Sequence, residues 1–251
     1  MEAQGPFADP ILLSGLATAG AASLLALGVL GALVSRRPLG TRLTYGACTL
    51  VCAALGVLAC LALLNPVSGP VFVRLFVGLP LMHTILGLEP LSAAFVVIVN
   101  VTSAIVSACA IGYGVHAREP QRVVPFYPAF IGGMNLVLLA QDAFSFLVGW
   151  EFMSLASWAL VVSEDRSESN RRAGLVYLIM AAGGALTLLL AFGVLAGPHG
   201  GYTFEQMRQT GTFGPASIVL ILALIGAGSK AGLVPLHAWL PLAHPAAPSH
   251  V

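Results

Sequence analysis

The stretch ILLSGLATAGAASLLALGVLGALV, residues 11–34, carries no charged side chain and is closed by Arg36, Arg37 and Pro38. A helix needs about 20 apolar residues to cross roughly 30 Å of hydrocarbon. This run of 24 residues is long enough to span a bilayer. It is too long for the apolar part of a signal peptide, and its leading flank carries Glu2 and Asp9 where a signal peptide is basic.

The same pattern recurs along the chain. Further spans are predicted at Leu43–Leu64, Leu91–Tyr113, Pro125–Ala140, Ala143–Ser163, Gly174–Ala196 and Pro215–Leu240, seven in all. The apolar part of the connection Val67–Pro90, Val71–Leu81, is too short to cross and reads as interfacial or re-entrant. Gly197–Gly214 reads as a polar linker with a short surface helix around Phe204–Gln209. The expected fold is an all-α polytopic transmembrane bundle. Residues 1–124 form a first part of three spans with the interfacial segment, and residues 125–251 a second.

Composition agrees. Of 251 residues, 58% are hydrophobic and only 8% charged, against about 25% charged in soluble domains. A net charge of +1 gives no bulk attraction for nucleic acid, which is not expected as a partner. Cys48, Cys52, Cys60 and Cys109 lie in apolar runs without metal-ligand spacing. Arginine placement orients the chain. Seven spans put Arg36, Arg37, Arg42, Arg118, Arg122, Arg166, Arg171 and Arg172 on one side, with only Arg74 and Arg208 opposite. Basic loops stay in the cytoplasm, so a multi-pass cell-membrane protein is expected, N-terminus outside and C-terminus cytoplasmic.

Two charges fall inside spans. Glu151 is the ninth residue of Ala143–Ser163, and Lys230, the only lysine, is the sixteenth of Pro215–Leu240. At such depth a charge costs about 2.5–3.5 kcal/mol on insertion scales, and charges there face the bundle interior, pair and mark ion or proton paths. A purely structural ion pair is the plainer reading. Around the lysine, Gly226, Gly228, Gly232 and Pro235 predict an interrupted helix, because glycine weakens a helix and proline removes a hydrogen bond. Interrupted membrane helices line hydrated cavities. Neither a dinucleotide fingerprint nor a P-loop fits: the glycine spacing is wrong and Ser229-Lys230 inverts the glycine–lysine order. Gly228 and Gly232 are expected to allow close helix approach.

His237, His244 and His250 follow at spacings that match no helical ligand pair, and no metal is expected. His237 is the candidate to pass protons between Lys230 and the cytoplasm, since imidazole titrates near neutrality; a histidine bonded to a backbone carbonyl is the alternative. Asp142, between two spans, is expected at an interface. His244, His250 and Asp142 are possible accessory groups. Asn100 and Asn135 are expected to bond to neighbouring helices.

These residues also carry a resemblance. Asn135-Leu136, Asp142-Ala-Phe-Ser-Phe, Gly149-Trp150-Glu151-Phe-Met153-Ser154-Leu155 and Ser157 resemble the fourth-to-fifth-helix region of antiporter-like proton-translocating subunits. Gly226-Ala-Gly-Ser-Lys230-Ala-Gly-Leu-Val-Pro235-Leu-His237-Ala-Trp239-Leu-Pro241 and Ala243-His244-Pro-Ala-Ala-Pro248-Ser resemble their seventh-to-eighth-helix region. Such subunits occur in respiratory complex I, in group 4 hydrogenases including formate hydrogenlyase, and in multisubunit cation/proton antiporters. The second stretch looks closest to the hydrogenase-4 component B type.

The resemblance implies a membrane subunit of a redox-driven proton-translocating complex, with Glu151 as charged partner and Lys230 as proton carrier. It implies partner membrane subunits and no cofactor or redox chemistry in this chain, where no flavin, Fe–S or quinone motif is visible. Leu242 departs from the charged residue many relatives carry. Relatives continue into an eighth helix, so the chain is expected to be an N-terminal part, encoded separately or truncated, that relies on another segment for helix eight onward; residues 125–251 would begin the antiporter-like repeat. The alternatives are a subunit of a cation/proton antiporter and a non-transporting scaffold. A retinal protein also has seven spans and a lysine in the seventh, but Leu91–Tyr113 lacks a carboxylate counter-ion.

Overall fold

The structure is a computed structural model describing residues 10–65, 72–79, 82–114, 119–163, 168–198, 201–210 and 215–247. His250, Arg118 and the Glu164–Arg166 part of the arginine-rich loop lie outside the described residues.

Helices α1 (Pro10–Val34) and α2 (Pro38–Leu64) are followed by strands β1 (Val73–Leu79) and β2 (Met82–Leu86). Then come α3 (Pro90–Tyr113), α4 (Pro120–Val123), α5 (Phe126–Leu139), α6 (Ala143–Val161) and α7 (Glu168–Ala196). The short α8 (Phe204–Thr210), α9 (Ala216–Ala231) and α10 (Leu240–Ala243) complete the order. Among the described residues, six segments are long and apolar enough to cross a membrane: α1, α2, α3, α4 with α5, α6 and α7. The seventh expected span is helical only over the 16 residues of α9, because the chain breaks there.

The helices begin where the sequence supplies a start. Pro38 and Pro90 occupy the first turns of α2 and α3, where a missing N–H costs nothing and the fixed φ favours the helix. Asp142 caps α6 by accepting from Ser145 N at 2.8 Å. The core runs from Ala17 on α1 through Tyr45 and Cys52 on α2 and Val96 on α3 to Ile131 on α5 and Leu160 on α6. Outward faces remain apolar: Leu33, Leu50, Ile98 and Leu186 are exposed, as lipid-facing positions of a bundle should be. Cys48 and Cys52 are buried, Cys60 and Cys109 exposed, and all four are free thiols.

The segment read as interfacial or re-entrant is an antiparallel hairpin, a two-stranded insert in an otherwise helical bundle. β1 pairs with β2 from Val73 opposite Leu86 to Leu79 opposite Met82, with an irregularity between Leu75 and Gly78. A segment too short to span can satisfy its amides by pairing with itself, and its β-branched content suits a strand. The hairpin is knitted into one end of the bundle. Leu86 bridges Ala140, and Asp142 bridges Thr203 beside α8. Leu88 N donates to Ser14 Oγ on α1 at 3.2 Å, and Arg208 on α8 meets Glu89 at 3.6 Å. The start of α1, the hairpin, the α5–α6 corner and the α7–α9 linker therefore share one end, the arrangement that alternating crossings require.

Midway along α3 and α5, Asn100 and Asn135 are both fully buried. They bond each other reciprocally, Asn100 Nδ2 to Asn135 Oδ1 at 2.7 Å and Asn135 Nδ2 to Asn100 Oδ1 at 3.3 Å. Each also donates to the carbonyl one turn earlier. No polar atom of the pair faces lipid.

Candidate functional site: a lysine held between three helices

Glu151, Ser154 and Ser157 are spaced three apart on α6, which sets them along one stripe of the helix. On α7, Tyr177 and Gly184 are seven apart and share a face. That face meets α9 at an unusually close approach. A Cβ on Gly226 would lie 2.8 Å from Gly184 O, 2.9 Å from Thr187 Oγ1 and 2.6 Å from Leu188 Cγ. A Cβ on Gly184 would collide with Ser229 Oγ. Only bare backbone on both helices permits this crossing, and Gly226 supplies the close approach that the sequence suggested for Gly228 and Gly232.

Gly232 has another task. It sits at φ 72°, ψ 32°, a left-handed conformation that favours glycine. The amides of Gly232 and Leu233 turn back to Gly228 O and end α9. The Val234–Pro235 peptide, which is cis, and a series of turns lead to α10. Trp239 closes this irregular stretch over the helix end, its Nε1 donating to Ser229 O at 2.6 Å.

Lys230 occupies the last turn of α9, where the negative end of the helix dipole and free carbonyls favour a cation. Its ammonium turns into the bundle. It donates to Ser154 Oγ at 2.9 Å and to the Tyr177 phenol at 2.5 Å. Ser154 is fully buried and its own hydroxyl donates to Trp150 O at 2.8 Å. Tyr177 is 2% exposed. Both acceptors are neutral hydroxyls. Among the described residues no ion pair joins Lys230 directly to a carboxylate. Glu151 lies one turn before Ser154 on the same stripe of α6 and is half-buried. The amine therefore sits between α6, α7 and α9, with the half-buried acid one turn away from its Ser154 partner along α6.

The other candidates are spread more widely. His237 lies in the turn after Pro235 and is exposed. His244, also exposed, lines a cleft of about 530 Å³ with Ser157, Tyr177 and Trp239. Asp142 is 3% exposed at the hairpin end of the bundle, nine residues before Glu151. There it accepts from Ser145 N, Ser145 Oγ and Ile85 N at 2.8, 2.5 and 3.0 Å. Sequence reasoning passed over Tyr177. A tyrosine early in an apolar run gives no signal by itself, because its importance comes from lying across α6 from Ser154 and across α9 from Lys230.

Comparison with known proteins agrees with this architecture. Residues 140–251 match the family described as NADH:quinone oxidoreductase/Mrp antiporter, transmembrane. Hydrogenase-4 component B of Escherichia coli is 36% identical over 169 residues, covering 66% of this chain and 25% of that protein. An uncharacterized protein of Mycobacterium tuberculosis is 40% identical over 176 residues, 69% of this chain and 27% of its own length. The Mrp complex from Dietzia contains a chain that superposes with a TM-score of 0.73 at 25% identity, covering 94% of this chain and 44% of that one. The matched region thus spans about a quarter of the curated relatives.

Proposed function

We propose, from the relationship of residues 140–251 to the NADH:quinone oxidoreductase/Mrp antiporter transmembrane family, that this chain is a proton-translocating membrane subunit of a redox-driven, hydrogenase-like or complex I-like assembly. Residues 125–251 begin its antiporter-like repeat, and further membrane subunits, with a segment beyond α10, complete the pathway. Its N-terminus faces outward. The hairpin end, which bears Arg74 and Arg208, lies outside, and the arginine-rich loops face the cytoplasm.

One observation carries the reading: the only lysine ends a broken helix with its ammonium held inside the bundle by Ser154 and Tyr177, and Glu151 lies one turn before Ser154 on α6. Neutral hydroxyls stabilise an ammonium without fixing it as a tight ion pair would. As a general scale, two unit charges about 7 Å apart in an effective dielectric of about 20 interact by about 2.4 kcal/mol. That is a bias of roughly fiftyfold on proton occupancy, at about 1.4 kcal/mol per factor of ten. A small movement that changes the Glu151–Lys230 separation therefore loads or releases a proton. Any redox reaction that drives the movement lies elsewhere in the assembly, since this chain supplies only the proton path.

The assembly isolated from its membrane and reconstituted in vesicles provides the test, read as acidification by a pH-sensitive dye. Glu151→Gln and Lys230→Met should each abolish translocation while leaving the complex assembled. Wild-type rates in either variant would show that the buried charges only hold the helices together and would sink the relay.

A further inference from the structure

Tyr177 touches two compartments at once. Its phenol oxygen accepts from Lys230 Nζ, and it shares the lining of one cleft with Ser157 of α6. Its ring stands edge-on to Trp239, centroids 5.1 Å apart at 74°. Beyond that wall lies the cleft of about 530 Å³, to which Ser157, Tyr177, Trp239 and His244 all contribute. No other described side chain contacts the ammonium and lines the cleft: Ser154, the second acceptor, is fully buried and absent from the lining.

We propose that Tyr177 is the proton-passing residue joining the Lys230 ammonium to the His244 cleft. This rests on the relay reading above and adds its next station. The proposed path runs from Nζ–H to Oη, then from the phenol O–H by way of Ser157, its neighbour on the lining, to water in the cleft. When a proton leaves Lys230, an N–H bond breaks and an O–H bond forms at Oη. The phenol's original proton passes to Ser157 Oγ, whose own proton goes to cleft water. Tyrosine and serine finish neutral, and the net change is one proton moved from the amine to water. Running the path backward reloads the lysine. A forward transfer leaves the hydroxyl hydrogens pointing back toward the lysine; the backward transfer restores them, and only a second forward transfer requires the hydroxyls to rotate first.

A purely structural tyrosine would hold Trp239 and nothing more, and substitution separates the two roles. In the reconstituted assembly Tyr177→Phe keeps the ring against Trp239 and removes the hydroxyl. Translocation should fall by about tenfold or more, within the usual worth of a positioned proton-transfer group. Ser157→Ala, a smaller change at a half-buried site, should slow it severalfold. Tyr177→Ala should be as slow as Tyr177→Phe but regain rate when imidazole, small enough for the cleft, is added to the medium; Lys230→Met should not. Tyr177→Phe within twofold of wild type, with Lys230→Met inactive, would overturn the Tyr177 assignment and leave the relay standing. Loss of rate in Tyr177→Ala that imidazole does not restore would likewise assign the tyrosine to packing. Wild-type translocation by Lys230→Met would bring down both.

Discussion

Gly226→Ala should unseat α9, and Gly183→Ala on the opposing helix should not. An alanine Cβ at residue 226 would meet Gly184 O at 2.8 Å and Leu188 Cγ at 2.6 Å, whereas carbon–carbon contacts settle at about 3.5–4.0 Å. Helix α9 must therefore move outward by roughly 0.5–1 Å, and overpacking of this kind costs about 1–3 kcal/mol. Lys230 lies one turn further on. The same displacement carries its 2.9 Å bond to Ser154 toward the limit beyond which a hydrogen bond is lost. Replacing glycine in a helix also gives about 0.5–1 kcal/mol of conformational stabilisation, which would blur the result for one mutant. A Cβ at Gly183 finds nothing within 4 Å, so that mutant receives the same gain with no collision. The difference between the two isolates the steric cost. Thermal unfolding of the protein purified in mild detergent with its accompanying subunits should place Gly226→Ala several degrees below Gly183→Ala, at about 2–4 °C per kcal/mol for a chain of this size. Translocation should fall in Gly226→Ala alone. Equal melting temperatures would mean that α9 does not depend on this crossing to present Lys230, and the packing argument would fail.

Asn100→Leu or Asn135→Leu should each destabilise the bundle by about 1–3 kcal/mol, because the remaining buried amide keeps only its bond to its own helix and loses its partner across the interface. The double replacement should recover most of that loss, and a double-mutant cycle of unfolding measures it; strict additivity would refute the pairing. Asp142→Ala removes the acceptor for Ser145 N and Ile85 N, at a cost of about 0.5–2 kcal/mol for the cap. Hydrogen exchange in residues 82–88 should then quicken by roughly tenfold per 1.4 kcal/mol lost locally, with a smaller change in Asp142→Asn. Unchanged exchange would mean that the hairpin is held without Asp142.

The membrane spans, the sites of the two interior charges and the broken seventh segment were all legible along the chain, because length, apolarity and glycine–proline placement act through local physics. A lipid solvent enforces those rules residue by residue. The hairpin was missed because fewer than ten apolar residues suit a strand as well as a re-entrant turn, and the choice depends on what the amides find at the bundle's end. The interior side of Lys230 was equally hidden. Its neighbours come from residues 154 and 177, far away in sequence, and its presentation depends on Gly184 and Gly226 letting two helix backbones approach closely. The linear code could say that an ammonium must find polar company inside the bilayer. Only the packing of α6, α7 and α9 decided that this company would be two neutral hydroxyls, with the carboxylate kept at a distance, since side-chain partners across helices are fixed by crossing geometry that no local pattern records.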